Sequence, residues 1–152
     1  MNSSLRLSDE VATALAAGRP VVALESTIIS HGLPRPRNHQ AALEFESILR
    51  DAGVTPATIA MLDGVPRIGL DAEGVRRIAD EDLAKASVRD LPILAARGAS
   101  GATTVAATAH LAAMAGIRCS PSVVVVTTMS PPRGIPSASK TRRRTASAAI
   151  SC

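Results

Sequence analysis

A single aromatic residue, Phe45, stands in this chain of 152 residues, which contains no Trp and no Tyr. Apolar residues still make up 46% of the sequence, so the core has to be built from Ala, Val, Ile and Leu. Small helical side chains that pack closely on β-branched strands are typical of α/β layers. The length fits one domain, and a domain of this size buries roughly 70% of the surface that it exposes when unfolded.

Helical and strand patterns alternate along the chain, which predicts an α/β fold. Helices are expected over residues 8–18, 38–52, 71–79, 91–97 and 104–115, and strands over 21–24, 57–62, 67–70 and 121–128. The pair Asp63-Gly64 predicts a hairpin turn within 57–70, and the prolines and glycine of 31–38 predict a loop. We therefore expect a layered α/β/α fold around a central, largely parallel or mixed sheet.

The net charge of +4 is unevenly distributed. Residues 1–118 carry 12 of the 17 Lys and Arg and all 13 acids, and residues 119–152 carry the other five bases. The main body is thus near neutral, and we expect no nucleic-acid partner, since a basic tail without aromatic residues is more often solvated. No segment resembles a signal peptide or a membrane span, so a cytoplasmic location without membrane contact is expected.

Glu25 is the first candidate for chemistry, because it follows directly after four apolar residues of a predicted buried strand. In α/β proteins ligands bind at the carboxyl ends of strands. Partial burial would raise the pKa of this carboxyl and suit it to general acid catalysis. On spacing alone, a strand-end glutamate in a surface salt bridge is the commoner case.

Two further places could contact a ligand. Lys85 lies among small residues between two predicted helices and could reach a phosphate or a sugar hydroxyl, although a solvated surface lysine fits equally. Residues 98–104 combine two glycines with two threonines before a predicted helix, where amides can hold an anion; an ordinary capped helix start fits as well. His31 has no second ligand at metal spacing, and Cys119 and Cys152 match no metal site or disulfide framework.

Four blocks of the sequence, in order, resemble one family. Residues 22–32 (VALESTIISHG) are similar to the signature near the start of the pseudouridine-5′-phosphate glycosidases, also called the indigoidine synthase A family. Residues 56–64 resemble the next block, 85–92 the block Lys-x-Ser-x-Arg-Asp-Leu-Pro, and 101–108 a glycine-rich helix start. The resemblance covers about residues 8–118, so 1–118 are assigned to the N-terminal part of such a domain. Residues 119–152 are interpreted as a disordered, basic, non-family tail.

The resemblance implies an activity and a set of residues. The activity is reversible cleavage of the C–C glycosidic bond of pseudouridine 5′-phosphate, which gives uracil and ribose 5-phosphate. By motif match Glu25 would be the proton donor, and Lys85 and the backbone at Val105 would contact the substrate. The family also uses a lysine that forms a Schiff base with the opened ribose, a Mn²⁺ ion near the phosphate and a homotrimeric assembly.

The family's metal-binding and Schiff-base blocks have no counterpart in residues 119–152. No Asp or Glu follows Asp90, and Lys140 stands in a different context. We therefore expect no metal ligands in this chain, a fold that is incomplete at its C-terminal side, a doubtful trimer and a purified chain without activity. The alternative is a non-catalytic fragment that binds sugar phosphate or associates with a homologous subunit. A frameshift near codon 118 is our hypothesis for the foreign tail.

Overall fold

The computed structural model of the protein describes residues 5–117, in which short strands alternate with helices. The strands are Arg6–Leu7 (β1), Val21–Leu24 (β2), Thr55–Leu62 (β3), Val65–Ile68 (β4), Ala84–Ala86 (β5) and Gly101–Thr103 (β6). The helices are Asp9–Ala16 (α1), Arg37–Asp51 (α2), Ala72–Asp80 (α3), Leu91–Arg97 (α4) and Val105–Met114 (α5). The predicted strand 121–128 and the tail 119–152 lie outside the described residues.

Local sequence signals fix the ends of several helices. The hydroxyl of Ser8 accepts the amide of Val11 and begins α1, as predicted from a serine before two acids. Asp71 caps α3 in the same way, by accepting the amide of Gly74. Gly98 ends α4 in the left-handed conformation that glycine adopts without strain.

The eight residues of β3, all buried, form the centre of the sheet. The strand order is β1-β4-β3-β6-β5, and β2 pairs with the first half of β3. Pairs β1–β4, β2–β3 and β5–β6 are parallel, whereas β3 is antiparallel to β4 and β6. The expected mixed sheet is confirmed.

β2 and β6 lie on the same side of β3 and run toward each other. The amide of Thr55 in β3 donates to the carbonyl of Pro20 before β2, and the carbonyl of Ile59 accepts from the hydroxyl of Thr103 in β6. Main-chain groups four residues apart point to the same side of a strand. Because β2 is parallel and β6 antiparallel to β3, their carboxyl ends meet at this edge.

Alternate side chains of β3 face two separate cores, which establishes three layers. Ala57, Ile59 and Met61 pack with apolar residues of α1, α4 and α5. Ala60 and Leu62 pack with residues of α2 and α3. The predicted α/β/α arrangement is therefore confirmed, with β3 as the shared middle layer.

Several predicted boundaries were wrong. Lys85 lies on β5 rather than in a connection between helices, and the glycine-rich segment 98–104 contains β6. The second hairpin strand begins at Val65, two residues before the predicted start, and the first residues of the predicted loop 31–38 complete a π-helical turn, Ile28–Gly32. β5 and β6 have three residues each, too few for a strand pattern, and they exist because of their pairing with the rest of the sheet.

Candidate active site

Glu25 lies where β2 ends, at the edge at which β2 and β6 meet. Its side chain is buried, with 6% of the residue exposed, and the hydroxyl of Thr27 donates a short hydrogen bond to its Oε2. The salt bridges formed within residues 5–117 do not include Glu25. The surface ion pair considered as an alternative is therefore not what the structure shows.

Burial raises the pKa of the Glu25 carboxyl above its ordinary value. The hydrogen bond from Thr27 and the positive charge of Lys85 act in the opposite direction and offset part of this effect. Desolvation disfavours the charged form of a carboxyl, so Glu25 holds its proton more firmly than a glutamate side chain in water does. A buried carboxyl of raised pKa is suited to general acid–base chemistry.

Lys85 lies on the edge strand β5 with its side chain exposed. It is close enough for its charge to lower the pKa of Glu25, so the structure brings these two predicted residues together although 60 positions separate them in sequence. The next residue, Ala86, pairs with Thr103 of β6. The position of Lys85 therefore depends on the β5–β6 pair.

Val105 is the first residue of α5, and Thr104 caps the helix by accepting the amide of Ala107. The amide of Thr104 in turn donates to the carbonyl of Ala86 at 3.0 Å. The amino end of α5, where a helix carries partial positive charge, therefore lies next to the strand that bears Lys85. His31, in contrast, is exposed in the π-helical turn.

The residue after Glu25 belongs to a group of buried hydroxyls that sequence reasoning did not connect. Thr103 is hydrogen-bonded to Ser26 and to Thr108, and all three residues are fully buried. Ser26 and Thr108 stand in blocks that were singled out for other residues, and Thr103 was considered as a hydroxyl donor to a ligand rather than as a buried contact. The only signal was the unusual density of Ser and Thr in two otherwise apolar stretches, which favours buried polar contacts.

A cavity of about 330 Å³ lies away from Glu25. It is found between α1, α2 and α3, with Glu10, Arg50 and Asp71 among its lining residues. The space at Glu25 is an apolar slot of only about 10 Å³ beside Phe45. A ligand of Glu25 larger than this slot would have to lie over the strand ends.

Within residues 5–117 the structure brings together no group of three or more His, Cys, Asp or Glu side chains of the kind that holds a metal ion. In the same part of the chain, no helix has the length and apolar character to cross a membrane.

The chain is similar to one family along most of its length. The family model for indigoidine synthase A like proteins matches residues 10–125. A pseudouridine-5′-phosphate glycosidase of Frankia alni is 62% identical over 117 residues, which are 76% of this chain and 32% of that protein. Another from a Nocardioides species is 64% identical over 115 residues, or 75% of this chain and 38% of that protein.

Two solved structures resemble the described fold. A prealnumycin C-glycosynthase in complex with ribulose 5-phosphate has a TM-score of 0.65 and 42% identity, over 74% of this chain and 36% of that one. An indigoidine synthase A-like protein of Thermotoga maritima has a TM-score of 0.66 and 32% identity, over 81% of this chain and 39% of that one. The chain thus spans about a third to two fifths of the length of these four proteins.

Proposed function

We propose a function from the premise that this chain belongs to the indigoidine synthase A-like family. Residues 5–117 supply the acid and the substrate contacts of a site that cleaves the C–C glycosidic bond of pseudouridine 5′-phosphate. The observation that carries the proposal is a buried carboxyl of raised pKa, Glu25, at the end of a strand, within the electrostatic reach of Lys85. The curated relatives that the chain matches are named for this activity.

Glu25 is proposed as the proton donor. Breaking a C–C bond between a base and a sugar leaves an electron pair on the base carbon, which has to receive a proton. A carboxyl whose pKa is raised by burial keeps that proton until the bond breaks, and its carboxylate can take it back in the synthetic direction. The hydrogen bond from Thr27 fixes the orientation of the carboxyl.

Lys85 and the first amide of α5 are proposed as substrate contacts. The exposed ammonium of Lys85 can bind a phosphate or a sugar hydroxyl as a compact point charge. The amide of Val105 lies at the positive end of a helix of ten residues, where oxygen acceptors are favoured. Both contacts approach the edge at which Glu25 lies, so a sugar phosphate over the strand ends could touch all three.

The family's Mn²⁺ ion and Schiff-base lysine are not assigned to residues of this chain. The described carboxylates and histidines do not gather into a set that fits a metal, so no step is derived through one. Covalent catalysis needs its nucleophile, for which neighbouring groups do not substitute. We therefore propose that the 152-residue chain, purified alone, releases no uracil from pseudouridine 5′-phosphate in the presence of Mn²⁺.

A chimera tests the proposed site in an active context. Residues 8–118 of this chain would replace the matching segment of the Nocardioides relative, which is 64% identical over 115 residues. The proposal predicts uracil release by the chimera and its loss, by about a hundredfold or more, on Glu25→Gln. Lys85→Ala should raise KM more than it lowers kcat, because a contact made equally in the ground state and the transition state affects binding.

Two results would contradict the proposal. One is a folded chimera, with a cooperative melting transition, that releases no uracil while its parent does. The other is undiminished turnover after Glu25→Gln. If the isolated chain releases uracil, its proposed inactivity is refuted. The role of Glu25 is then still decided by the activity of the Glu25→Gln variant. If the chain does not turn over but ribose 5-phosphate raises its melting temperature, the binding fragment is the better description.

A further inference from the structure

Thr103 connects the segments that carry the three site residues. It lies at the end of β6, between the carboxyl end of β2 and the start of α5, and none of it is exposed. Its carbonyl accepts the amide of Ser26, the residue after Glu25, at 3.3 Å. Its neighbour across the sheet is Ala86, next to Lys85.

Proton counting fixes the direction of the hydrogen bonds around the Thr103 hydroxyl. A threonine hydroxyl has one proton to donate and two lone pairs to accept. Oγ1 of Thr103 lies 2.6 Å from the carbonyl of Ile59, which can only accept, so the proton goes there. The hydroxyls of Ser26, at 3.2 Å, and of Thr108, at 2.9 Å, must then both donate to Oγ1 of Thr103.

The side chain of Ser26 therefore makes two hydrogen bonds to Thr103. Its Oγ donates to Oγ1 of Thr103 and accepts the amide of the same residue at 2.8 Å. Ser26 itself has no exposed surface. We call these two hydrogen bonds the clasp between Ser26 and Thr103. Because Ser26 follows Glu25 directly in the chain, the clasp fixes the backbone from which the carboxyl projects.

We infer that Thr103 is a positioning residue for the acid Glu25, acting through Ser26 and the junction of β2 with β6. This inference rests on the proposed role of Glu25. Thr103 does not touch the carboxyl and takes no part in proton transfer. It keeps the end of β2 closed against β6, so that Glu25 stays buried.

Three variants separate positioning from ordinary stabilisation. Thr103→Val keeps the shape but leaves the carbonyl of Ile59 and two hydroxyls without their partner. Thr103→Ser keeps the hydroxyl. Thr108→Val removes a hydroxyl that is equally buried but leaves the clasp between Ser26 and Thr103 intact, and is therefore the matched control.

The readout is the pKa of Glu25, followed by carbon-13 NMR of its side-chain carboxyl in the full 152-residue chain. Burial is the main cause of the raised value, so opening the junction should let water in and move the pKa of Glu25 down toward its ordinary value. We expect this shift for Thr103→Val, and little or none for Thr103→Ser and Thr108→Val. A downward shift in Thr103→Val that is no larger than in Thr108→Val would overturn the inference.

Ser26→Ala covers the case in which Thr103→Val does not fold. It breaks both side-chain contacts of the clasp but leaves the hydrogen bonds of Thr103 to Ile59 and Thr108 in place. It should lower the pKa of Glu25 in the same way, and an unchanged value would refute the inference. Because the titration needs no substrate, its outcome is independent of whether the proposed chimera releases uracil.

Discussion

Arg77 of α3 holds the carboxylate of Asp63, in the turn between β3 and β4, through two hydrogen bonds of 2.9 and 3.0 Å. The same guanidinium also bonds to Glu81 at 2.8 Å. The backbone amide of Asp63 donates a hydrogen bond to the hydroxyl of Ser100 at 2.9 Å. One arginine thus joins a hairpin turn to a helix, and Ser100 joins the same turn to the segment before β6.

Asp63→Asn should destabilise the protein by about 0.5–1 kcal/mol at pH 7, a small value because the side chain of Asp63 is 59% exposed. Arg77 holds the pKa of Asp63 below its ordinary value of 3.8. A lowered pKa contributes stability above the unfolded value that is lost as pH falls through the folded one. The loss caused by the substitution should therefore shrink below about pH 3.8. Urea denaturation at several pH values measures it.

Asp82→Asn is the control for this prediction. Asp82 is exposed and takes part in none of the salt bridges found among residues 5–117. Its substitution should leave stability nearly unchanged at pH 7. An equal effect of the two substitutions would show that the Arg77 pair contributes nothing.

Glu25→Gln should raise the melting temperature at pH 7 by a few degrees. Burial raises the pKa of Glu25, and a raised pKa contributes stability that is present below the unfolded value and lost as pH rises through the folded value. Glutamine keeps an oxygen that can accept from Thr27 but carries no charge to desolvate. The gain should disappear as pH falls toward the ordinary value of 4.5. Scanning calorimetry across this range measures it.

Glu44→Gln should have the opposite sign at pH 7. Its partner Arg37 lowers the pKa of this exposed carboxyl. The substitution therefore removes a charge that stabilises the fold, whereas the charge of Glu25 is destabilised by burial. A lower melting temperature of Glu25→Gln than of the unsubstituted protein at pH 7 would contradict the burial argument.

Gly64→Ala should cost more than Gly18→Ala, although both glycines have positive φ, 76° and 64°. At Gly18 an added Cβ meets nothing within 4 Å, so only the backbone cost of about 1–2 kcal/mol applies. At Gly64 it would lie 2.8 Å from the Cα of Gly98, and backbone has to move, for roughly 1–3 kcal/mol more. Equal losses in urea denaturation would show that the turn can relax.

Asn38→Ala should destabilise the protein by about 1–3 kcal/mol, the cost of leaving buried polar groups without partners. Asn38 is fully buried, and its Nδ2 donates to the carbonyls of Ile29, at 3.0 Å, and Ala79, at 2.8 Å. It therefore ties the segment after Glu25 to the end of α3. Gln40→Ala, in the same helix but exposed, should change stability little, and a comparable loss there would show that the buried hydrogen bonds of Asn38 are not the cause.

The sequence predicts the parts of the fold that local chemistry decides. Ser8 predicts the start of α1, Asp63-Gly64 predicts the hairpin turn, and the run of four apolar residues gives the bounds of β2. β5 and β6 could not be predicted, because their three residues each are held as strands by partners far away in the chain.

The candidate site divides in the same way. The place of Glu25 directly after a buried strand is visible in the sequence, but its burial is not, because a surface salt bridge fits the same spacing. The contact between Ser26 and Thr103 joins residues 77 positions apart, and no local pattern connects two short polar side chains over that distance. The contact exists because the sheet topology brings the carboxyl ends of β2 and β6 together.

The end-to-end meeting of β2 and β6 makes the acidity of Glu25 depend on two distant parts of the chain. β2 leads into the carboxyl, and β6 closes the end of β2 through the contacts of Thr103 with Ser26. Burial is the main cause of the raised pKa of Glu25, so a segment that stopped before β6 would leave the carboxyl more open to water. The ability of Glu25 to retain a proton therefore belongs to the closed sheet rather than to the segment that carries it.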